Sequence, residues 1–263
     1  MRTQPDGHLR VKPVAAGSRQ SVFVFEFGEV GTTRRLSESL AKGGDDSAIY
    51  AIDPVADIAR LPGYVVLPEL AERYAGMVAG LHQDGPLVVV GYCSASVLAL
   101  RVAELLRADQ TVRTVLVQPT KPDLPLIRGE YARIRQSLAV AEADAAVSLD
   151  EADAPPDLYH RLDQALARDE AAWAVGRGVS GTSPALAFMA SRHRAWLSVL
   201  LSSHEAVAST RCPDDALVVE SAEQPGDWPD RSGGPRRVFP PDAEADPLDN
   251  AELTELVLNG HHS

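Results

Sequence analysis

The chain has 263 residues, 45% hydrophobic and 24% charged, enough length and apolar content to bury a sizeable core. Its net charge of −12, from 25 Lys and Arg against 37 Asp and Glu, argues against nucleic acid as a partner, because phosphate binding needs a cationic surface. No apolar run reaches the roughly 18 residues of a membrane helix, and the polar start MRTQPDGHLRVKPVAAGSRQ lacks the apolar segment of a secretory signal, so a cytoplasmic location without a membrane partner is expected.

In chain order, residues 1–20 read as a flexible lead-in. SVFVFEF, residues 21–27, is β-branched and aromatic and reads as a strand ending at Gly28. GEVGTT is a loop, and RRLSESLAKGG a helix closed by glycines. AIYAIDP, residues 48–54, is a second strand, and LPELAERYAGMVAGLHQDG carries apolar residues at helical spacing. Leu87–Val90 is a continuous apolar run, the mark of a strand buried on both faces of a parallel sheet. SASVLALRVAELLRAD is a helix and TVRTVLVQP another buried strand. Alternating strands and helices predict an α/β fold with a mostly parallel sheet. From about residue 125 to 205 the pattern becomes helical, through YARIRQSLAVAEADAAV, LYHRLDQALARDEAAWAV and LAFMASRHRAWLSVLLSS. Arg128, Arg133 and Arg135 in this region are a candidate for a local arginine patch, and read first as an exposed helix face. ALVVES, residues 216–221, resumes the strands, GDWPDRSGGPRR is a loop, residues 240–250 are an acidic loop or short helix, and Leu256–Leu258 reads as a last strand.

The chemistry concentrates in Val88–Leu100, VVVGYCSASVLAL. A nucleophile between a buried strand and a helix sits on a strained turn, and small residues must flank it. Gly91 and Ala95 occupy the flanking positions around Cys93. The positive end of the helix favours a thiolate there. The Ser94 amide would supply half of an oxyanion hole, and Phe27 and Gly28, after the first strand, the other half. Two readings of Cys93 stand: a nucleophile, or a small buried core residue. Taking Ser94 instead as the nucleophile puts Tyr92 and Ser96 at the flanks, and the tyrosine crowds the turn. Cys93 and Cys212 are too few for a disulfide framework or a metal cluster and read as free thiols.

These residues carry a resemblance. Ser21–Thr120 resembles the thioesterase branch of the α/β-hydrolase superfamily, the chain-releasing domains of polyketide and nonribosomal peptide synthetases. FVFEFGEVGTT is similar to its oxyanion loop, with Glu26 and Phe27 replacing the usual His-Pro or Pro-Pro. GPLVVVGYCSASVLALRVAELL is similar to its nucleophile strand and helix, with cysteine for serine. A cysteine at that place resembles the stand-alone Dieckmann cyclases that release tetramic acids and pyridones, to which a Cys-Asp-His triad is attributed. The resemblance implies an α/β-hydrolase core over residues 21–124 and 206–263, with a helical lid over 125–205. It implies no cofactor, and a small-molecule acyl thioester borne on the phosphopantetheine of an acyl or peptidyl carrier protein.

In this fold the histidine follows the final strand. With Leu256–Leu258 as that strand and Asn259-Gly260 as the turn, the family's Gly-x-His arrangement maps onto Gly260 and His262, and His261 is a close second. His82, His160, His193 and His204 lie in helical stretches and read as surface or lid residues. The synthase thioesterases place the acid at the end of the strand after the nucleophile helix, where this chain has Gln118. Asp123, further along that loop, is taken as the acid, with Glu223 and Asp227 as alternatives after the next strand. Three functions follow: a Dieckmann cyclase, a hydrolytic thioesterase using water on the same residues, and a non-catalytic binding protein of this fold.

Overall fold

The computed structural model describes residues 9–27, 35–43, 46–61, 63–138, 147, 149, 153–181, 183–221, 228, 235–239 and 251–260. These form two compact units. One comprises Leu9–Pro54, Leu67–Lys121 and Ala206–Ser263, and the other includes Val55–Val66 and Pro122–Glu205.

The first unit carries a seven-stranded sheet. Its strands are β1 (Lys12–Ala15), β2 (Gln20–Phe25), β3 (Ser47–Ile52), β4 (Leu87–Tyr92), β5 (Val112–Val117), β6 (Leu217–Ser221) and β7 (Arg236–Phe239). They lie in the order β1-β3-β2-β4-β5-β6-β7, all parallel except β1, which pairs antiparallel with β3. The chain helices are α1 (Leu36–Ala41), α2 (Pro54–Ile58), α3 (Leu67–Leu81), α4 (Ser96–Leu106), α5 (Leu124–Ser137), α6 (Pro155–Gly176), α7 (Pro184–Val207) and α8 (Ala251–Asn259).

The central strands are apolar runs because both faces are covered. On one face Val22, Val24, Val88, Val90, Val115, Val117, Leu217 and Val219 form a single cluster with Leu36 and Leu40 of α1 and Leu253, Leu256 and Val257 of α8. On the other, Phe25 meets Tyr74 of α3 edge to face at 5.7 Å, Phe23 stacks on Tyr50 at 4.7 Å, and Gly91 lies against α4. In the helical unit α5, α6 and α7 bury Ile127, Tyr131, Leu158, Leu162, Leu166 and Leu200. Arg194 of α7 pairs with Asp163 and Glu170 of α6, at 2.5 and 2.8 Å, and Arg135 of α5 with Asp169 at 3.0 Å. Arg135 is therefore buried, and Arg128 donates to the Leu149 carbonyl at 3.2 Å, so the arginines of α5 do not make one exposed face. Among the described residues no helix is long and apolar enough to cross a membrane.

Three local readings of the sequence change. Residues 12–15, inside the expected lead-in, form β1, and residues 236–239, read as loop and polar connection, form β7. Leu256–Leu258 is not a strand: it is the last turn of α8. Its apolar residues Leu253, Leu256 and Val257 recur at i, i+3 and i+4, which buries one helix face on the sheet.

Arg113 of β5 anchors that helix. Its guanidinium donates to the carbonyls of Leu258 at 3.0 Å and Val257, groups that an α-helix leaves unpaired at its C-terminus, and to that of Leu256 at 3.3 Å, which also accepts from Gly260 N. Gln20 Nε2 adds a bond to Leu258 O at 2.7 Å, and Arg19 one to Asn259 Oδ1 at 2.8 Å. Burial, and the charge of Arg19, push the Arg113 pKa down. Gly260 closes the helix at φ 69°, left-handed backbone that glycine adopts without strain. Replacing Arg113 by Ala leaves these carbonyls without their charged donor and is expected to cost about 2–3 kcal/mol in denaturant titration. An unchanged midpoint would mean that apolar contacts alone hold α8.

Candidate active site

The site is built where β4 meets α4. Cys93 follows the last residue of β4 and opens a 3-10 turn, Cys93–Ala95, that runs into α4. Its φ of 52° is left-handed, a conformation that costs a non-glycine residue of order 1–3 kcal/mol and persists only where the surroundings enforce it. Gly91 is part of that enforcement. A Cβ there would lie 2.7 Å from Ser96 Cα and 2.9 Å from Ala99 Cβ, so strand and helix approach too closely for any side chain. Gly91 is thus what the packing demands, and Ala95, on the other side of the cysteine, is fully buried. Both cysteines are free thiols and half-buried.

The polar surroundings of the sulfur come from β4 and β5. Ser94 is buried, with its Oγ 3.9 Å from Cys93 Sγ. Thr120 is half-buried and closer, its Oγ1 3.4 Å from the sulfur, and its N–H donates to Cys93 O at 3.4 Å. Gln118, at the place of the family's acid, has φ 47° and donates its N–H to Val219 O of β6 at 2.7 Å. Thr120 carried no signal in the sequence. It meets Cys93 because β5 pairs beside β4, a neighbour relation set by the sheet.

Glu26 and Phe27, which replace the family's usual pair after β2, have a structural account in part. Glu26 is 1% exposed. Its carboxylate accepts from Ser37 Oγ at 2.5 Å and Ser37 N at 3.1 Å, at the start of α1. Its own N–H donates to Ile52 O at 3.0 Å. Arg35, beside it, pairs with Asp53 at 3.7 Å. Burial pushes the Glu26 carboxyl up, against the pull of the Ser37 hydrogen bonds and the Arg35 charge. Phe27 is half-buried, and Gly28 lies outside the described residues.

Asp123 has a local task in the helical unit. It caps α5, its Oδ1 accepting from Leu126 N at 2.8 Å, and the Leu-Pro pair that follows suits the first helical turn. In the same unit His204 Nδ1 is 3.0 Å from the Pro122 carbonyl. Glu223, Asp227, His261 and His262 lie outside the described residues. The premise behind His262 does change, because Leu256–Leu258 lies in α8 and the last strand among the described residues is β7 at Arg236–Phe239; residues 240–250, which follow it in sequence, contain no histidine. Moreover α8 ends beside Gln20, the first residue of β2, and Arg113, near the start of β5. That edge of the parallel sheet is opposite the one carrying Cys93, and the six-residue β4 spans roughly 20 Å between them.

Two variants probe this architecture. Gly91→Ala drives a methyl group into the α4 backbone and is expected to destabilise the protein by about 1–3 kcal/mol or more in denaturant titration; a neutral result would mean that α4 moves away freely. Glu26→Gln addresses the raised carboxyl. The folded state binds the proton more tightly than the unfolded chain, whose value is near 4.5. Stability from this group is therefore complete below that value and falls as pH rises through the folded one. The melting temperature of Glu26→Gln should gain on the parent's as pH rises; a constant difference would show that the carboxyl is not shifted.

No protein-family model matches the chain, and no curated protein matches it. Solved structures do. The Vlm2 thioesterase domain bound with a dodecadepsipeptide superposes with a TM-score of 0.53 at 14% identity, covering 96% of this chain and 97% of its own. The NocB thioesterase domain, in covalent complex with a fluorophosphonate nocardicin G analogue, gives 0.51 at 17% identity over 95% and 100%. A malate-bound esterase from Thermogutta terrifontis gives 0.50 at 13% identity over 95% and 91%. With the parallel sheet, its flanking helices and the strand–turn–helix at Cys93, these likenesses establish that the chain has the α/β-hydrolase fold.

Proposed function

We propose that this protein accepts an acyl chain from a carrier-protein thioester onto Cys93 and releases it by intramolecular carbon–carbon bond formation, a Dieckmann cyclisation giving a tetramate or pyridone ring. The observation that carries the proposal is the strained φ of 52° at Cys93, enforced by the contact of Gly91 with α4, at the position of the fold's nucleophile. An inert core cysteine gives no reason to maintain that conformation. The thioesterase domains among the structural neighbours support the coarser part, thioester chemistry.

The steps balance as follows. The Cys93 thiolate attacks the thioester carbonyl, the oxyanion is held by backbone amides at Ser94 and Phe27–Gly28, and the carrier's phosphopantetheine leaves as thiolate. The exchange is nearly isoenergetic, so the acyl group stays activated. In a β-ketoamide substrate the carbon between the two carbonyls then loses a proton. The carbanion attacks the Cys93 thioester carbonyl, the ring closes and the Cys93 thiolate is expelled. A thioester carbonyl suits a carbanion better than an ester would, which is a chemical reason for cysteine in place of serine.

For the proton acceptor the sequence nominates His262, with His261 beside it. The other acceptor that the reaction itself supplies is the thiolate expelled from the carrier. The His261→Ala/His262→Ala double variant separates the two. Loss of ring closure by about 10²-fold or more, with Cys93 still acylated, would support a histidine base, whereas turnover at the parental rate removes both histidines from the mechanism.

The central test is the mass of the product released from a β-ketoamide thioester surrogate. The parent is expected to give substrate minus thiol, and Cys93→Ala none. A product one water heavier would make the protein a hydrolytic thioesterase. No acylation of Cys93 and no release would leave a binding protein of hydrolase fold.

A further inference from the structure

Among the described residues, left-handed backbone outside glycine occurs at Cys93 and Gln118 alone, with φ of 52° and 47°. They stand at the ends of adjacent strands, and Thr120 joins them. Its N–H reaches Cys93 O at 3.4 Å, its Oγ1 lies 3.4 Å from Cys93 Sγ, and the same Oγ1 donates to Gln118 O at 3.4 Å. The turn at Gln118 thus brings one hydroxyl against the sulfur and gives its proton a resting partner on the backbone.

We propose that Thr120 is a positioning residue for Cys93, whose hydroxyl orients the thiol and stabilises the thiolate. A threonine hydroxyl has one proton and two acceptor sites. In the thiol form Sγ–H donates to Thr120 Oγ1 while Thr120 O–H donates to Gln118 O. When the sulfur gives its proton to solvent, the Thr120 hydroxyl turns and donates to the thiolate, and the bond to a charged acceptor outweighs the one it leaves. Among the described residues, the polar side chains bonded at the sulfur are Thr120 and, farther off, Ser94. This assignment deepens the reading of Cys93 as the acyl acceptor and rests on it for its purpose, not for its measurement.

The experiment is the rate of iodoacetamide alkylation of the full chain against pH, with Cys93 and Cys212 followed separately by peptide mass. Parent, Thr120→Val and Thr120→Ser are compared, all checked for a parental melting temperature. Valine keeps the shape and removes the hydroxyl; serine keeps the hydroxyl. Thr120→Val should move the Cys93 profile about one pH unit higher and lower its rate at neutral pH about tenfold, with Thr120→Ser close to the parent and Cys212 unmoved. Superimposable profiles for parent and Thr120→Val would overturn the assignment. So would a Thr120→Ser shift as large as that of Thr120→Val, or a matching shift at Cys212. If the hydroxyl-dependent shift appears but a thioester surrogate leaves no acyl group on Cys93, the proposed function fails and the role of Thr120 stands. If acylation occurs without the shift, the reverse holds.

Discussion

The constraint on which the site depends is the close approach of β4 to α4. With a Cβ at Gly91 only 2.7 Å from the Ser96 backbone, no larger residue fits, and the chain must turn from strand to helix within one residue. Cys93 takes that turn with left-handed backbone. The cost is borne by the surrounding packing: β4 is apolar and buried between β2 and β5, and α4 buries Val97, Leu98, Leu100 and Val102. Because those contacts form well away from the sulfur, they can hold it in a conformation that it would not adopt by itself.

A second constraint acts at the opposite edge. Arg113 comes from β5, and the carbonyls at the end of α8 accept its hydrogen bonds. A half-buried guanidinium and a helix end each carry groups that burial penalises, and together they satisfy one another. The arrangement also sets direction. It places the end of α8 at the starts of the strands and Cys93 at their finishes. Residues 240–250, between β7 and α8 in the chain, include Asp242, Glu244, Asp246 and Asp249 but no histidine.

Glu26 illustrates how a departure from a family pattern acquires a physical meaning. In the sequence it stands, with Phe27, where the resembled family has His-Pro or Pro-Pro. In the fold its side chain lies on the face of the sheet that packs α1, taken up by Ser37, and burial pushes it toward the neutral acid. Asp123 is a parallel case, a nominated catalytic acid whose carboxylate caps a helix. The partner of Glu26 comes from another element, α1, whereas Asp123 caps its own helix through Leu126 three residues on.

Much of the architecture was legible before any coordinates. Strands buried on both faces must be apolar throughout, so β2, β4, β5 and β6 announced themselves, and the elbow's demand for small neighbours marked Cys93 between Gly91 and Ala95. Those features are local, and the residues concerned carry their own cause. What the tertiary structure alone decided is non-local. The edge strands β1 and β7 are short and half-polar, and their identity comes from partners rather than composition. α8 was mistaken for a strand because a three-residue apolar run fits either period until the face it buries is known. Thr120 meets Cys93 only because β5 lies beside β4. Burial on two faces is written into the residues that suffer it, whereas the identity of a neighbour is settled by the packing of segments far apart in the chain.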